Sequence, residues 1–158
     1  MRYFIELSYN GKKYHGWQNQ PNAISVQEVI EKALSTLLRS KTAIVGAGRT
    51  DAGVHAKQMY AHFDTDITFD RTELTLKLNS FLPKDVAIQQ IHLVKEDAHA
   101  RFDATGRTYE YWIVSEKNPF QTQSAHTVYK KLDVDLMNKA AKELLNHQDF
   151  KCFSKTHT

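Results

Sequence analysis

The stretch Gly46-Ala47-Gly48-Arg49-Thr50-Asp51-Ala52-Gly53-Val54-His55-Ala56 holds residue types and spacing that point to chemistry. Its three glycines permit positive φ or the close approach of another backbone. Between them stand Arg49 and Asp51, two positions apart, after a short apolar run. Small neighbours leave such a carboxylate open to approach, and a nearby guanidinium favours its ionised form. That combination suits a nucleophile, or a base acting on a bulky substrate. The plainer reading is a glycine-rich turn with a local Arg–Asp ion pair. Neither phosphate-binding loop applies: the spacing is not GxxxxGK[ST], no Lys follows, and the third glycine is displaced from GxGxxG. No metal pattern emerges either. His55 and His62 lie near Asp51 and Asp64 in sequence but without HExxH spacing, and the single Cys152 excludes both a Cys-rich zinc module and an internal disulfide.

The flanking elements must position this loop. Tyr3, Ile5, Leu7 and Tyr9 alternate with polar residues except at Phe4, which predicts a strand with one buried face. A loop with Gly11, Gly16 and Pro21 follows. Val26, Val29, Ile30, Ala33, Leu34, Leu37 and Leu38 then fall at helical spacing, and Ser25 with Glu28 reads as a capping box. Ala43–Val45 predicts a short buried strand before the glycine loop. After the loop, Met59, Ala61 and Phe63 face inward while Gln58, Tyr60 and His62 face outward. Asp70 and Glu73 start a second helix with Leu74, Leu78, Phe81 and Leu82 on its apolar face, ended by Pro83. Val86, Ile88, Ile91 and Leu93 predict another strand, with a phase slip at Gln89 and Gln90 that reads as a bulge. The order β-α-β-β-α-β is that of a ferredoxin-like α+β unit, and it occupies residues 1–95. Residues 96–158 read as the opening of a second, similar unit: a strand at Arg107–Ser115 and a helix from Asp133 with Leu136, Met137, Ala140, Ala141, Leu144 and Leu145 inward. A strand and a helix alone do not bury both faces, so this part is read as incomplete.

Composition narrows the class. With 41% hydrophobic residues, 7 Tyr, 8 Phe and 2 Trp against only 6 Gly and 3 Pro, the 158-residue chain is not a disordered one. Its net charge of +3 permits a nucleic-acid partner without demanding one. The basic residues are spread along the chain, which fits phosphate contacts as well as a solvated surface. No apolar run approaches membrane-spanning length, and the start lacks the features of a signal peptide, so the default location is cytoplasmic.

The glycine loop GAGRTDAGVHA resembles the signature of the tRNA pseudouridine synthases of the TruA family. Tyr9-Asn10-Gly11, Tyr14-His15-Gly16-Trp17-Gln18 and Ser25-Val26-Gln27 resemble that family's opening segment. Asn79-Ser80-Phe81-Leu82-Pro83 resembles its Asn-x-x-Leu-Pro turn. His99-Ala100-Arg101-Phe102, Arg107-Thr108-Tyr109-Glu110-Tyr111 and Asp149-Phe150-Lys151-Cys152-Phe153 resemble its later segments. The resemblance implies an isomerase that converts uridine to pseudouridine at positions 38, 39 and 40 of the tRNA anticodon stem-loop. It implies Asp51 as the catalytic aspartate, Arg49 as its partner and an aid to base displacement, and Tyr109 as a ring stacking on the target uracil. It further implies a homodimer and no cofactor or metal. His15, His99, Arg101 and Arg107 are candidates for RNA contact. Members of the family continue past the point corresponding to Thr158, so the chain is expected to be a fragment with little activity by itself.

Two other readings compete. A non-catalytic ferredoxin-like RNA-binding module would present an RNP1-type aromatic run, which this sequence lacks. A structural protein dimerising through its sheet would give Arg49 and Asp51 no role. By residue pattern alone, Tyr109, Tyr111 and Ile113 are also an ordinary sheet face.

Overall fold

Strict alternation makes the central strand. In the computed structural model, which describes residues 1–153, β1 (Arg2–Tyr9) buries Tyr3, Ile5, Leu7 and Tyr9 and leaves the residues between them half-covered. On one side β1 pairs antiparallel with β3 (Ala56–Asp64), from Tyr9 opposite Ala56 to Arg2 opposite Asp64. On the other it pairs antiparallel with β4 (Val86–Val94), from Tyr9 opposite Val86 to Arg2 opposite Val94. The two-residue β2 (Val45–Gly46) lies outside β3, giving the order β2-β3-β1-β4. With α1 (Val26–Leu38) and α2 (Arg71–Phe81) in the two crossovers, this is the antiparallel ferredoxin-like arrangement of an α+β protein.

The helix starts follow from short polar side chains. The Ser25 Oγ accepts the Glu28 N–H at 3.1 Å, and the Asp70 Oδ1 accepts the Glu73 N–H at 2.8 Å. Arg39 closes α1 in the left-handed region at φ 53°. Val26, Ile30, Ala33 and Leu34 of α1 join Leu74 and Leu78 of α2 and the inward residues of the sheet in one hydrophobic cluster.

The slip in β4 is a bulge. Glu6 faces Gln90 while Leu7 faces Ile88, so Gln89 is the extra residue. Asn79 on α2 serves the backbone there: its Nδ2 donates to the Ile88 carbonyl at 2.7 Å and its Oδ1 accepts the Ile88 N–H at 2.8 Å. The asparagine of the Asn-Ser-Phe-Leu-Pro turn thus substitutes for a peptide group.

Two compact units make up the chain, Met1–Arg107 and the part from Thr108 onward. Residues 96–107, which the sequence pattern places with the second part, belong to the first. Ala100 is buried, its N–H donates to His62 Nδ1 at 3.2 Å, and Arg2 Nη1 donates to the Ala98 carbonyl at 3.0 Å. His62 is accordingly buried rather than outward, because residues 99–102 cover it.

In the second unit the expected strand over Arg107–Ser115 is reduced to β5 (Ile113–Val114), which pairs in parallel with β6 (His126–Thr127). Residues 108–112 have the alternation of a strand but do not form one, and alternation alone does not hold the backbone extended. The helix begins as expected: α3 (Val134–Glu143) is capped by Asp133, whose Oδ1 accepts the Leu136 N–H at 2.9 Å. Its apolar face is exposed rather than inward, with Leu136 and Met137 open, as is Leu145 in the turn that follows.

Leu78 is fully buried between helix and sheet. Leu78→Ala is expected to cost about 2–5 kcal/mol, read as a lower urea midpoint for the first unit. An unchanged midpoint would contradict its place in the core.

Candidate active site

The C-terminal end of β1 and the N-terminal ends of β3 and β4 coincide, because Tyr9 is paired with both Ala56 and Val86. The loop after β1 and the glycine loop before β3 are therefore neighbours, and they satisfy each other's backbone groups. Trp17 N–H donates to the Thr50 carbonyl at 3.1 Å, Gly53 N–H to the Tyr14 carbonyl at 3.3 Å, and Gly11 N–H to His55 Nδ1 at 3.0 Å. The Tyr9 hydroxyl meets Thr50 Oγ1 at 2.9 Å. The approach is too close for side chains. Gly16 has φ 88°, and a Cβ there would fall on the Thr50 carbonyl oxygen. A Cβ at Gly46 would fall on the indole of Trp17.

Thr50 is thus the residue turned into the protein, and its neighbours Arg49 and Asp51 are turned out and exposed. The expected Arg49–Asp51 ion pair is absent: among the described residues no contact within 4.0 Å joins the two side chains. The reason is energetic. An exposed pair gains at most about 1 kcal/mol, and fixing a long arginine side chain costs a comparable amount of rotamer entropy. Asp51 stands at the apex of an anchored loop, open to an incoming molecule.

A polar layer supports the two loops. Gln27 on α1 accepts the Asn19 N–H at 3.0 Å through Oε1 and donates to the Ile44 carbonyl at 2.8 Å through Nε2. Glu31, one turn on, accepts the Ile44 N–H at 2.9 Å and an Asn19 Nδ2 hydrogen at 2.7 Å. Asp85, before β4, accepts the Tyr14 hydroxyl at 2.6 Å and pairs with Lys13 at 3.3 Å. Burial opposes ionisation of Asp85, but the bonds from Tyr14 and Lys13 outweigh it, so its carboxyl titrates below the usual range. Burial and the same bond push the Tyr14 phenol upward. Sequence reasoning did not single out Gln27, Glu31 or Asp85 as supports. Gln27 sits in the Ser-Val-Gln motif, which was the available signal for it, whereas nothing local marks Asp85.

The other candidates are distributed as follows. His15 is exposed beside Gly16, its N–H donating to the Ile24 carbonyl at 3.0 Å. His99 Nδ1 accepts the N–H groups of Arg101 and Phe102 at 3.2 and 3.4 Å, and its ring lies 4.2 Å from that of Phe102. Phe102, not foreseen as a site residue, is 75% exposed, with the Arg101 guanidinium 5.9 Å from its ring centre. Arg107 is turned back onto the protein, its guanidinium reaching the carbonyls of Ala47 and Arg101. Tyr109 is in the second unit and is 73% exposed.

The family model for tRNA pseudouridine synthase matches residues 7–103, which include both loops and the supporting layer. This chain belongs to the tRNA pseudouridine synthase family. Among curated relatives, a tRNA pseudouridine synthase A of Bacteroides thetaiotaomicron is 54% identical over 157 residues, covering 99% of this chain and 58% of the relative. One from Bacteroides fragilis is 52% identical, covering 99% and 63%, and one from Colwellia psychrerythraea is 42% identical, covering 99% and 61%. The chain therefore spans about three-fifths of the length of these synthases.

The environment of His62 yields a pH prediction. Burial first, then Arg2 and His99, hold its imidazole below the ordinary value, while Asp64 pulls the other way. Above the ordinary histidine pKa of about 6.5 both folded and unfolded forms are neutral, and stability does not depend on this group. Below it the unfolded chain takes up the proton first, so stability falls with pH until the folded pKa is passed. The urea midpoint of the wild type should fall between pH 7.5 and 5.5 by more than that of His62→Gln. Equal pH slopes in the two proteins would refute the assignment.

Proposed function

We propose that this chain carries the catalytic aspartate of an enzyme that isomerises uridine to pseudouridine in the anticodon stem-loop of tRNA, at positions 38, 39 and 40. The observation that carries the reading is Asp51 itself: an exposed carboxylate at the apex of a loop anchored on both sides, in a member of the tRNA pseudouridine synthase family. The reaction needs no external group. The C1′–N1 bond of the nucleotide breaks, a C1′–C5 bond forms, the hydrogen on C5 leaves as a proton, and N1 takes one up. A carboxylate can serve by attack at C1′, by addition at C6, or by first removing a proton, and each route needs an unobstructed oxygen.

The neighbours have distinct tasks in this reading. Arg49, exposed and unpaired with Asp51, is free to enter the space the uridine vacates. Opening a stem costs a few kcal/mol of unstacking, which a cation and an aromatic together offset. Tyr109 stacks on the flipped uracil, a contact worth about 1–3 kcal/mol. His15, His99 and Arg101 contact the RNA around the site. A homodimer and a cytoplasmic location belong to the same proposal; no described helix is long and apolar enough to cross a membrane. A non-catalytic RNA-binding module would leave the anchored carboxylate loop without a task.

The test is tritium release from tRNA labelled at uridine C5. It is run with this chain and with a chimera in which the chain replaces the matching 157 residues of the Bacteroides thetaiotaomicron relative. The chimera is expected to release label. Asp51→Ala and Asp51→Asn should lower release by about 10²–10⁴-fold or more, while tRNA affinity stays within about twofold. Undiminished release by either variant would remove Asp51 from the chemistry. Salt-dependent tRNA binding with no release from any form would favour the binding module.

A further inference from the structure

Arg107 entered as a candidate RNA contact, but its geometry points elsewhere. Its Nη2 donates to two carbonyls at once, that of Ala47 at 2.7 Å and that of Arg101 at 2.7 Å, and its Nε also donates to the Ala47 carbonyl at 3.2 Å. Ala47 is the residue at which the chain leaves the sheet: its N–H still donates to the Tyr60 carbonyl at 2.8 Å, while its carbonyl takes the guanidinium. Arg101 is on a fixed segment. The next residue back, Ala100, is buried and bonded to His62 on β3. His99 and Asp103 close the turn, with His99 N–H on Asp103 Oδ2 at 2.7 Å and Asp103 N–H on the His99 carbonyl at 2.9 Å. The Arg107 side chain also lies against Gly48, where a Cβ would stand 3.5 Å from its Nε.

We propose that Arg107 is a positioning residue for Asp51, which clamps the root of the catalytic loop and spends its guanidinium on the protein rather than on an RNA phosphate. The inference rests on Asp51 being the reacting carboxylate. The loop after β1 grips the glycine loop at Thr50 and Gly53, flanking Asp51, but makes no bond to Ala47. Without Arg107 the Ala47 carbonyl loses this hold, and Gly48 and Arg49 hang between the Ala47 N–H on Tyr60 and the bonds at Thr50. Charge-assisted bonds to carbonyls are stronger than neutral ones, and a planar fork holds two acceptors in fixed directions. A lysine keeps the charge but presents it as a point on a flexible stem.

The two roles separate experimentally through Arg107→Lys and Arg107→Gln. A clamp predicts that both variants behave alike. Amide exchange at Gly48–Gly53 should speed up at least about tenfold in this chain, while the melting temperature and the salt slope of tRNA binding stay unchanged. In the tritium-release assay kcat should fall by about tenfold or more, with KM for tRNA within twofold. A phosphate contact predicts instead that Lys substitutes for Arg, and that Gln lowers the slope of log K against log salt by about 0.7–0.9 with loop exchange unaltered. That pattern would overturn the proposal, as would wild-type exchange in both variants. The exchange measurement needs no turnover, so failure of the clamp is distinguishable from failure of the assigned reaction.

Discussion

Two irregular loops fold against each other at one end of the sheet, and the rest of the site depends on that contact. Neither loop has a ladder partner, so each supplies the hydrogen-bonding groups that the other needs. Trp17 and Tyr14 on one side meet Thr50 and Gly53 on the other through main-chain bonds. The price is the absence of side chains at the crossing points, most plainly at Gly16, where a positive φ coincides with a carbonyl in the way of any Cβ. Because Thr50 is bound from within by both its carbonyl and its hydroxyl, the residues on either side of it face outward. The presentation of Asp51 is thus a consequence of how Thr50 is held, and an Arg49–Asp51 ion pair has no part in it.

Topology brings the supports to the same place. With β1 central, its last residue borders the first residues of both β3 and β4. Asp85 arrives before β4 to bind Tyr14, and the polar edge of α1 arrives through Gln27 and Glu31 to bind Ile44 and Asn19. The bulge at Gln89 lets β4 keep Ile88 and Ile91 both inward across an uneven register, and Asn79 accommodates the displaced peptide. Segment 96–107 closes the arrangement over His62 and returns Arg107 to the loop. Elements far apart in sequence thus converge on the two loops.

Much of this was legible from residue pattern. The alternation of β1, the apolar face of α1, the inward Leu74, Leu78 and Leu82 of the second helix, the caps at Ser25, Asp70 and Asp133, and the bulge in β4 are local features, whereas Phe81, expected on the same face, is exposed. Local sequence states them because they arise within a few residues. The resemblance carried by GAGRTDAGVHA agrees with the family match. What went astray required knowledge of neighbours. His62 alternates outward but is buried, because residues 99–102 fold over it. Residues 108–112 alternate like a strand but do not form one, and the apolar face of α3 is laid out correctly yet exposed. Arg107 is one of the spread cations by pattern, and its two carbonyl partners, Ala47 and Arg101, lie outside any local signal.

The sequence by itself determined where the carboxylate is, that it sits in a glycine-shaped loop, and which elements flank it, because propensity, periodicity and capping act over short separations. Only the tertiary structure decided which groups each side chain spends its hydrogen bonds on. Thr50 rather than Asp51 turns inward, Arg107 rather than Arg49 is engaged, and Gln27 and Asp85 become supports. Those choices depend on contacts between segments that are separated by up to 71 residues, as for Tyr14 and Asp85, and no local pattern encodes such a pair.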